Sequence, residues 1–190
     1  MVIVSTDVSN DRADGSAVVI ALYISLITGR FLIAALAFGY IEHVLNSPQP
    51  DVAVTVATSV LGSTVPMLEK AGFQRLVFED FYDVLLSLIQ QVIIPEPGGT
   101  ILTSDTLLEA FQSPEGKIYP MIKHAEWSLK IRTPVSNSVV VYLRLVASAQ
   151  IRSDPDEYAP FLFHPEIGEP MDTREFCEHF VEAVGKEAGP

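Results

Sequence analysis

Cysteine occurs once in 190 residues, as Cys177. That excludes an intramolecular disulfide and fits a reducing compartment, the cytoplasm or nucleus. Basic residues are also scarce: 12 Lys and Arg stand against 24 Asp and Glu, a formal net charge of -12. Such a balance repels a phosphate backbone and leaves no basic face for nucleic acid. Residues 1 to 16, MVIVSTDVSNDRADGS, lack the basic opening of a secretory signal, so secretion is not expected. Gly98 and Gly99 stand without the rest of a phosphate-binding loop and its Lys, so they give no support to nucleotide binding. His43, His124 and His164 have no ligand-like spacing, and neither a metal nor another cofactor is expected. No repeat or low-complexity tract is present.

What the chain has in quantity is apolar sequence. At 48% hydrophobic residues it can build one domain with a real core. The longest apolar stretch is Ala17 to Ile41, interrupted by Ser25, Thr28, Gly29 and Arg30. About 20 apolar residues suffice to cross a bilayer, so a membrane-associated helical protein anchored by 17–41 is one alternative reading. Arg30 near the middle opposes it at about 2.5–3.5 kcal/mol, and with Gly29 it splits the run into two shorter pieces. A membrane is therefore not the expected partner.

Apolar periodicity predicts a chain of helices. Ala34 to Leu45 repeats Leu36, Phe38, Ile41, Val44 and Leu45 at helical spacing, and Asn46, Ser47, Pro48 and Pro50 end it. Asp51 to Ala57, DVAVTVA, alternates like a strand, but the stretch runs on through Ser59, Val60 and Leu61 to Met67, Leu68 and Ala71 at looser helical spacing and so reads rather as helix, with Pro66 as a break. Phe81, Val84, Leu85, Leu88, Ile89 and Val92 form the cleanest amphipathic stripe, with Glu79 and Asp80 expected at its N-terminus, where anions are favoured. Ser104 is the expected cap of a short helix in which Leu107, Leu108 and Phe111 share a face. Gly116 to Pro134 has no periodicity and reads as an insertion. Val139 to Ile151 is apolar except at Arg144, Ser148 and Gln150, the mark of a helix buried on most of its circumference. Ser153 to Pro170 should be a loop tucking Phe161, Leu162 and Phe163 onto the core. Asp172 and Glu175 form a capping-box-like pair for a last helix, with Phe176, Phe180, Val181 and Val184 facing inward.

Nucleophilic chemistry would need a thiolate with a His in reach and a group to orient that His. Cys177 is the one thiol, but it sits beside inward-facing Phe176 on an apolar stripe, where free cysteine is ordinarily a small buried hydrophobe. Cys177 is therefore read as structural. His179, two positions on, lies on another face of the same helix and cannot pair with it there. Asp154, Asp156 and Glu157 read as a charged loop rather than a catalytic carboxylate pair.

Three blocks, LVFEDFYDVLLSLIQQV, SNSVVVYLRLVASAQIR and DTREFCEHFVEAVGKEA, occur in the order of, and resemble, the otubains, ubiquitin-specific cysteine peptidases of the ovarian-tumour (OTU) superfamily. The resemblance implies an α/β, papain-like domain of which this chain carries the α-rich part, mostly helices with little sheet and with some apolar surface that missing strands would cover. It divides the chain into a non-family segment 1–33 and a partial otubain-like domain 34–188, with the insertion at about 116–134. In the family, the nucleophile lies in a Gly-Asp-Gly-Asn-Cys-Phe segment directly before the helix that here reads ALAFGYIEHVL. Gap-free registration puts Phe31 at the nucleophile position, Arg30 at the Asn and Thr28 at the Asp. The family's catalytic His is expected in a strand beyond Lys186 to Ala188, a place this chain does not reach. The implied reading is a deubiquitinase-like protein that contacts ubiquitin or its conjugates but is catalytically incomplete. A truncated product without function is the other alternative.

Overall fold

The computed structural model describes residues 30–95, 101–112 and 135–182. In chain order they form α1 (Arg30–Leu45), α2 (Pro50–Lys70), α3 (Arg75–Gln90), α4 (Ser104–Gln112), α5 (Val135–Ser153) and α6 (Pro155–Tyr158) with a 3-10 turn (Ala159–Phe161). Last comes α7 (Thr173–Phe176), which continues as a π turn (Cys177–Val181). No strand occurs among the described residues; Phe163 and Pro170 make one isolated antiparallel bridge. The α-rich architecture read from the sequence is the one observed. The segment 116–134, Val184 and His124 lie outside the described residues, as does everything before Arg30.

The central element is α5, which packs against each of α1 to α4 and against the C-terminal turns. Its apolar circumference divides between two cores. Val139, Tyr142, Leu145 and Ala149 join Ile41, Leu68, Phe78, Leu88 and Leu107 in the larger one. Ala147 and Ile151 join Tyr158, Leu162, Phe176, Cys177 and Val181 in the smaller one. A helix that is a wall of two cores needs apolar residues nearly all round.

The helix α2 starts with Pro50 in its first turn, where proline lacks only an amide the helix would leave unpaired. It ends at Gly72, whose φ of 95° only glycine adopts freely. Phe73 N donates to Leu68 O at 3.1 Å and Gly72 N to Glu69 O at 3.0 Å, the paired bonds of a Schellman closure. Pro66 was expected to break this helix, but α2 runs through it. Proline deletes one internal bond, whereas Leu61 and Leu68 on either side are buried in the core, and burial of such side chains outweighs that loss.

Four further expectations are corrected. α3 begins at Arg75, so Glu79 and Asp80 stand in its second turn, and Glu79 pairs with Arg75 at 3.1 Å. The cap of α4 is Thr103 rather than Ser104: Thr106 N donates to Thr103 Oγ1 at 3.2 Å and Thr103 N to Thr106 Oγ1 at 2.9 Å, a reciprocal capping box. Leu108 is exposed, and Ala110 takes the inward place beside Leu107. Of Phe161, Leu162 and Phe163 after α5, Leu162 alone is buried, while Phe161 and Phe163 are exposed because residues on either side of an extended Leu162 point away from the core.

By length and composition α2 is the one described helix long and apolar enough to cross a membrane. Its Val54, Ala57, Leu61 and Leu68 are core residues, as are Ile33, Ala37, Ile41 and Val44 of α1. The described half of the 17–41 run is thus committed to this core, which does not favour the membrane reading.

Candidate functional site

Among the described residues the sequence-predicted positions are not brought together. Phe31 falls in the first turn of α1, and Thr28 lies outside the described residues. Cys177 opens the π turn, fully buried in the smaller core. Its Sγ donates weakly to Ser148 O at 3.9 Å. Burial pushes the thiol's pKa up, with the Ser148 bond and the Arg152 charge opposing. His179 is exposed, its Nδ1 2.9 Å from Glu175 O one turn back, and His164 packs edge-on to Phe180 at 5.2 Å. His43 is exposed in the last turn of α1. Asp154 accepts from Glu157 N at 3.3 Å and so caps α6, while Asp156 and Glu157 are exposed. Among the described residues no group of His, Cys, Asp and Glu is arranged to hold a metal.

What the fold does assemble is a polar cluster on one face of α5, where Arg144, Ser148 and Arg152 follow at four-residue steps. Glu182 Oε1 accepts from Ser148 Oγ at 2.5 Å and from Arg152 Nη2 at 2.6 Å. The Arg152 guanidinium also lies 5.6 Å from the Phe73 ring centroid and 4.0 Å from Glu178. Glu178 is held by Arg174 at 2.8 Å, which lowers its carboxyl pKa, and Arg152 and His179 lower it further. The π turn makes this possible. Glu182 N donates to Cys177 O at 2.9 Å, so residues five apart stack one above the other, and Glu182 comes to the α5 side of the turn with Cys177. One helical turn before Ser148, Arg144 is 4% exposed, and its Nε and Nη1 have no hydrogen-bond partner among the described residues. Burial alone pulls its pKa down, with no carboxylate opposing.

Sequence reasoning marked Arg144 and Ser148 as interruptions of an apolar helix without asking what they meet. A polar side chain at a core position requires a partner, and that requirement was the available signal. The partner, Glu182, is 34 residues from Ser148. Across the larger core, Tyr142 Oη and Thr64 Oγ1 are hydrogen-bonded at 2.5 Å, and burial pushes the Tyr142 pKa up to about 12. These groups tie α5 to its neighbours; as arranged they couple a buried thiol to a backbone carbonyl, not to an imidazole.

Comparison with known proteins places this helical assembly. The family model for peptidase C65, otubain, matches residues 29–124 and 121–189. Human ubiquitin thioesterase OTUB2 is 26% identical over 159 residues, which cover 84% of this chain and 54% of that protein. The chain thus spans about half the length of that relative. No solved structure matches it. With the family match extending over most of its length, the chain belongs to the otubain family.

Proposed function

We propose that this chain is a ubiquitin-system protein that contacts ubiquitin or ubiquitin conjugates without hydrolysing the isopeptide bond. Support for the contact is the otubain family match and the relative named as a ubiquitin thioesterase. The observation that carries the second half is Cys177: the one thiol of the sequence, it has 0% exposure and a raised pKa. A nucleophilic thiol must be partly exposed and held as thiolate by a nearby positive charge or base. Phe31, at the nucleophile position by gap-free registration, offers no lone pair to attack a carbonyl.

Reaction of the folded chain with ubiquitin bearing a C-terminal electrophile, read by intact mass, tests the catalytic half. The expected outcome is no adduct under conditions in which an active otubain labels fully. An adduct that disappears in Cys177→Ala would overturn it. Titration with unmodified ubiquitin tests the contact separately. Saturable binding that weakens with added salt is expected, since an acidic chain meets the basic surround of ubiquitin's hydrophobic patch. Absence of binding at high micromolar concentration would remove the ubiquitin reading.

A further inference from the structure

An apolar groove of about 380 Å³ opens between α1, α2, α3 and α5, and none of the described side chains lining it is charged. Its two rims are ridges of large apolar side chains at four-residue steps: Leu32, Leu36 and Tyr40 along α1, and Val52, Val56 and Val60 along α2, all exposed. Leu36, 50% exposed, and Val60, 57% exposed, line the groove from one helix each. Ala35, Thr55, Ser59 and Ser63, exposed on the same two helices, are small and neutral. Residues 31–41 and 52–68 contain no Asp, Glu, Lys or Arg, in a chain with 24 acidic residues. A contiguous apolar face of this kind, kept free of charge in so acidic a chain, calls for a partner.

We infer that this face is the two-fold interface of a homodimer, in which the α1 ridge of each copy seats in the groove between α1 and α2 of the other. The partner is a second copy of this chain.

Three arguments select it. The first is charge. A net charge of -12 repels the anionic surface of a bilayer, and a basic partner would find no carboxylate here. Two copies meeting through a neutral face bury no ion and keep their acidic residues in water. The second is shape. A two-fold contact requires a patch that is its own complement, and this one holds ridge and groove side by side. Only residues 46–49 join α1 to α2, so the two helices run antiparallel, and their ridges share one spacing over about 12 Å each. Ridges at four-residue steps interdigitate with grooves of the same spacing. The third is area. About half the surface of six large apolar side chains, with that of the small residues between them, is on the order of 800 Å² per copy, one side of a standard interface. A hydrocarbon small enough for the groove would leave both ridges wet.

The test is the mass of the full chain by sedimentation equilibrium and native mass spectrometry, from about 0.1 to 100 μM, where contacts of this size dissociate when they are weak. A shift from 20.8 kDa to twice that mass is expected as concentration rises. Leu36→Glu and Val60→Glu each put two carboxylates into the dimer and should weaken it at least about a hundredfold. Both positions are on the surface, so helical circular dichroism should not change. Leu76→Glu, at an 85% exposed position on α3 outside the groove lining, should leave the dimer intact. A monomer at every concentration, a dimer indifferent to both groove variants, or a monomer carrying a bound small molecule would each overturn the inference. The photo-reactive residue p-benzoylphenylalanine at Leu36 gives a second readout in the full chain. Adducts are expected on the α1 or α2 peptides of a second copy, at a yield that rises with protein concentration; adducts confined to the same chain, or none, would also overturn it.

Discussion

Arg144→Met should stabilise the protein. The guanidinium is 4% exposed, with Nε and Nη1 buried and unpartnered, and no carboxylate contributes to its depressed pKa. Taking such an ion out of water costs several kcal/mol, and nothing among the described residues returns that cost. Methionine keeps an unbranched stem of similar reach and adapts to irregular space, so most of the packing survives. Replacing buried ions by apolar residues of similar volume has gained about 1–4 kcal/mol; the same range is expected here, a rise in Tm of about 3 °C for each kcal/mol in a chain of this size. Urea unfolding followed by helical circular dichroism reads the change directly, with the slope unchanged. Arg152→Met is the control with the opposite sign: it strips Glu182 of its cation, and loss of one partner of a part-buried pair should cost about 1–3 kcal/mol. A loss of more than about 1 kcal/mol in Arg144→Met would refute the reasoning, because by the same balance it would require an acceptor for the guanidinium outside the described residues.

Gly39→Ala and Gly62→Ala should each add about 0.5–1 kcal/mol, since both glycines lie inside helices and a Cβ at either meets nothing within 4 Å; lower urea midpoints would contradict this. Tyr142 titrates at about 12 against an ordinary 10, so the folded state holds that proton more tightly. The stability it contributes is complete below pH 10 and is lost as pH rises from 10 through 12, and phenolate absorbance should show one tyrosine fewer ionising near pH 10 in the folded chain than in Tyr142→Phe plus one free phenol. Cys177 should resist a thiol reagent at mildly alkaline pH until the chain is unfolded, and its raised pKa makes stability fall as pH climbs above the ordinary thiol range; rapid labelling of the native protein would refute its placement.

Helices whose pattern is imposed by the core were legible from sequence, and those whose limits are set locally were not. The stripes of α3 and α5 were read in place because Val84, Leu85, Leu88 and Ile89, and nearly every side of α5, face a core. The start of α3 was hidden because Leu76 and Val77 in its first turn are exposed and carry no burial pattern. Thr103 was passed over for Ser104 because a capping hydroxyl can sit at either position, and only the reciprocal bond with Thr106 decides. Pro66 misled because a local rule about one lost amide was set against burial that comes from α3 and α5. Of the polar cluster, Ser148 was visible as an anomaly in an apolar helix, whereas Glu182 carried no mark, since nothing in a surface-like VEA triplet announces a π turn.

That π turn and the cluster explain each other. In an α-helix, residue 182 would stand about 140° around the axis from residue 177 at about 100° per residue, turned away from the face on which Cys177 and Val181 are buried. The five-residue bond from Glu182 N to Cys177 O removes most of that angle and brings the carboxylate to the same side of the turn, within reach of Ser148 and Arg152. π geometry is less favourable than α and survives where something outside the helix selects it. Here the selecting interaction is a carboxylate accepting two hydrogen bonds, one from a cation, in a partly buried setting where charge-assisted bonds are strongest. The smaller core alone would be content with either geometry, because Cys177 and Val181, four apart, share a face in both. The apolar contacts therefore hold the C-terminal turns against α5, and the Glu182 cluster determines how those turns are wound.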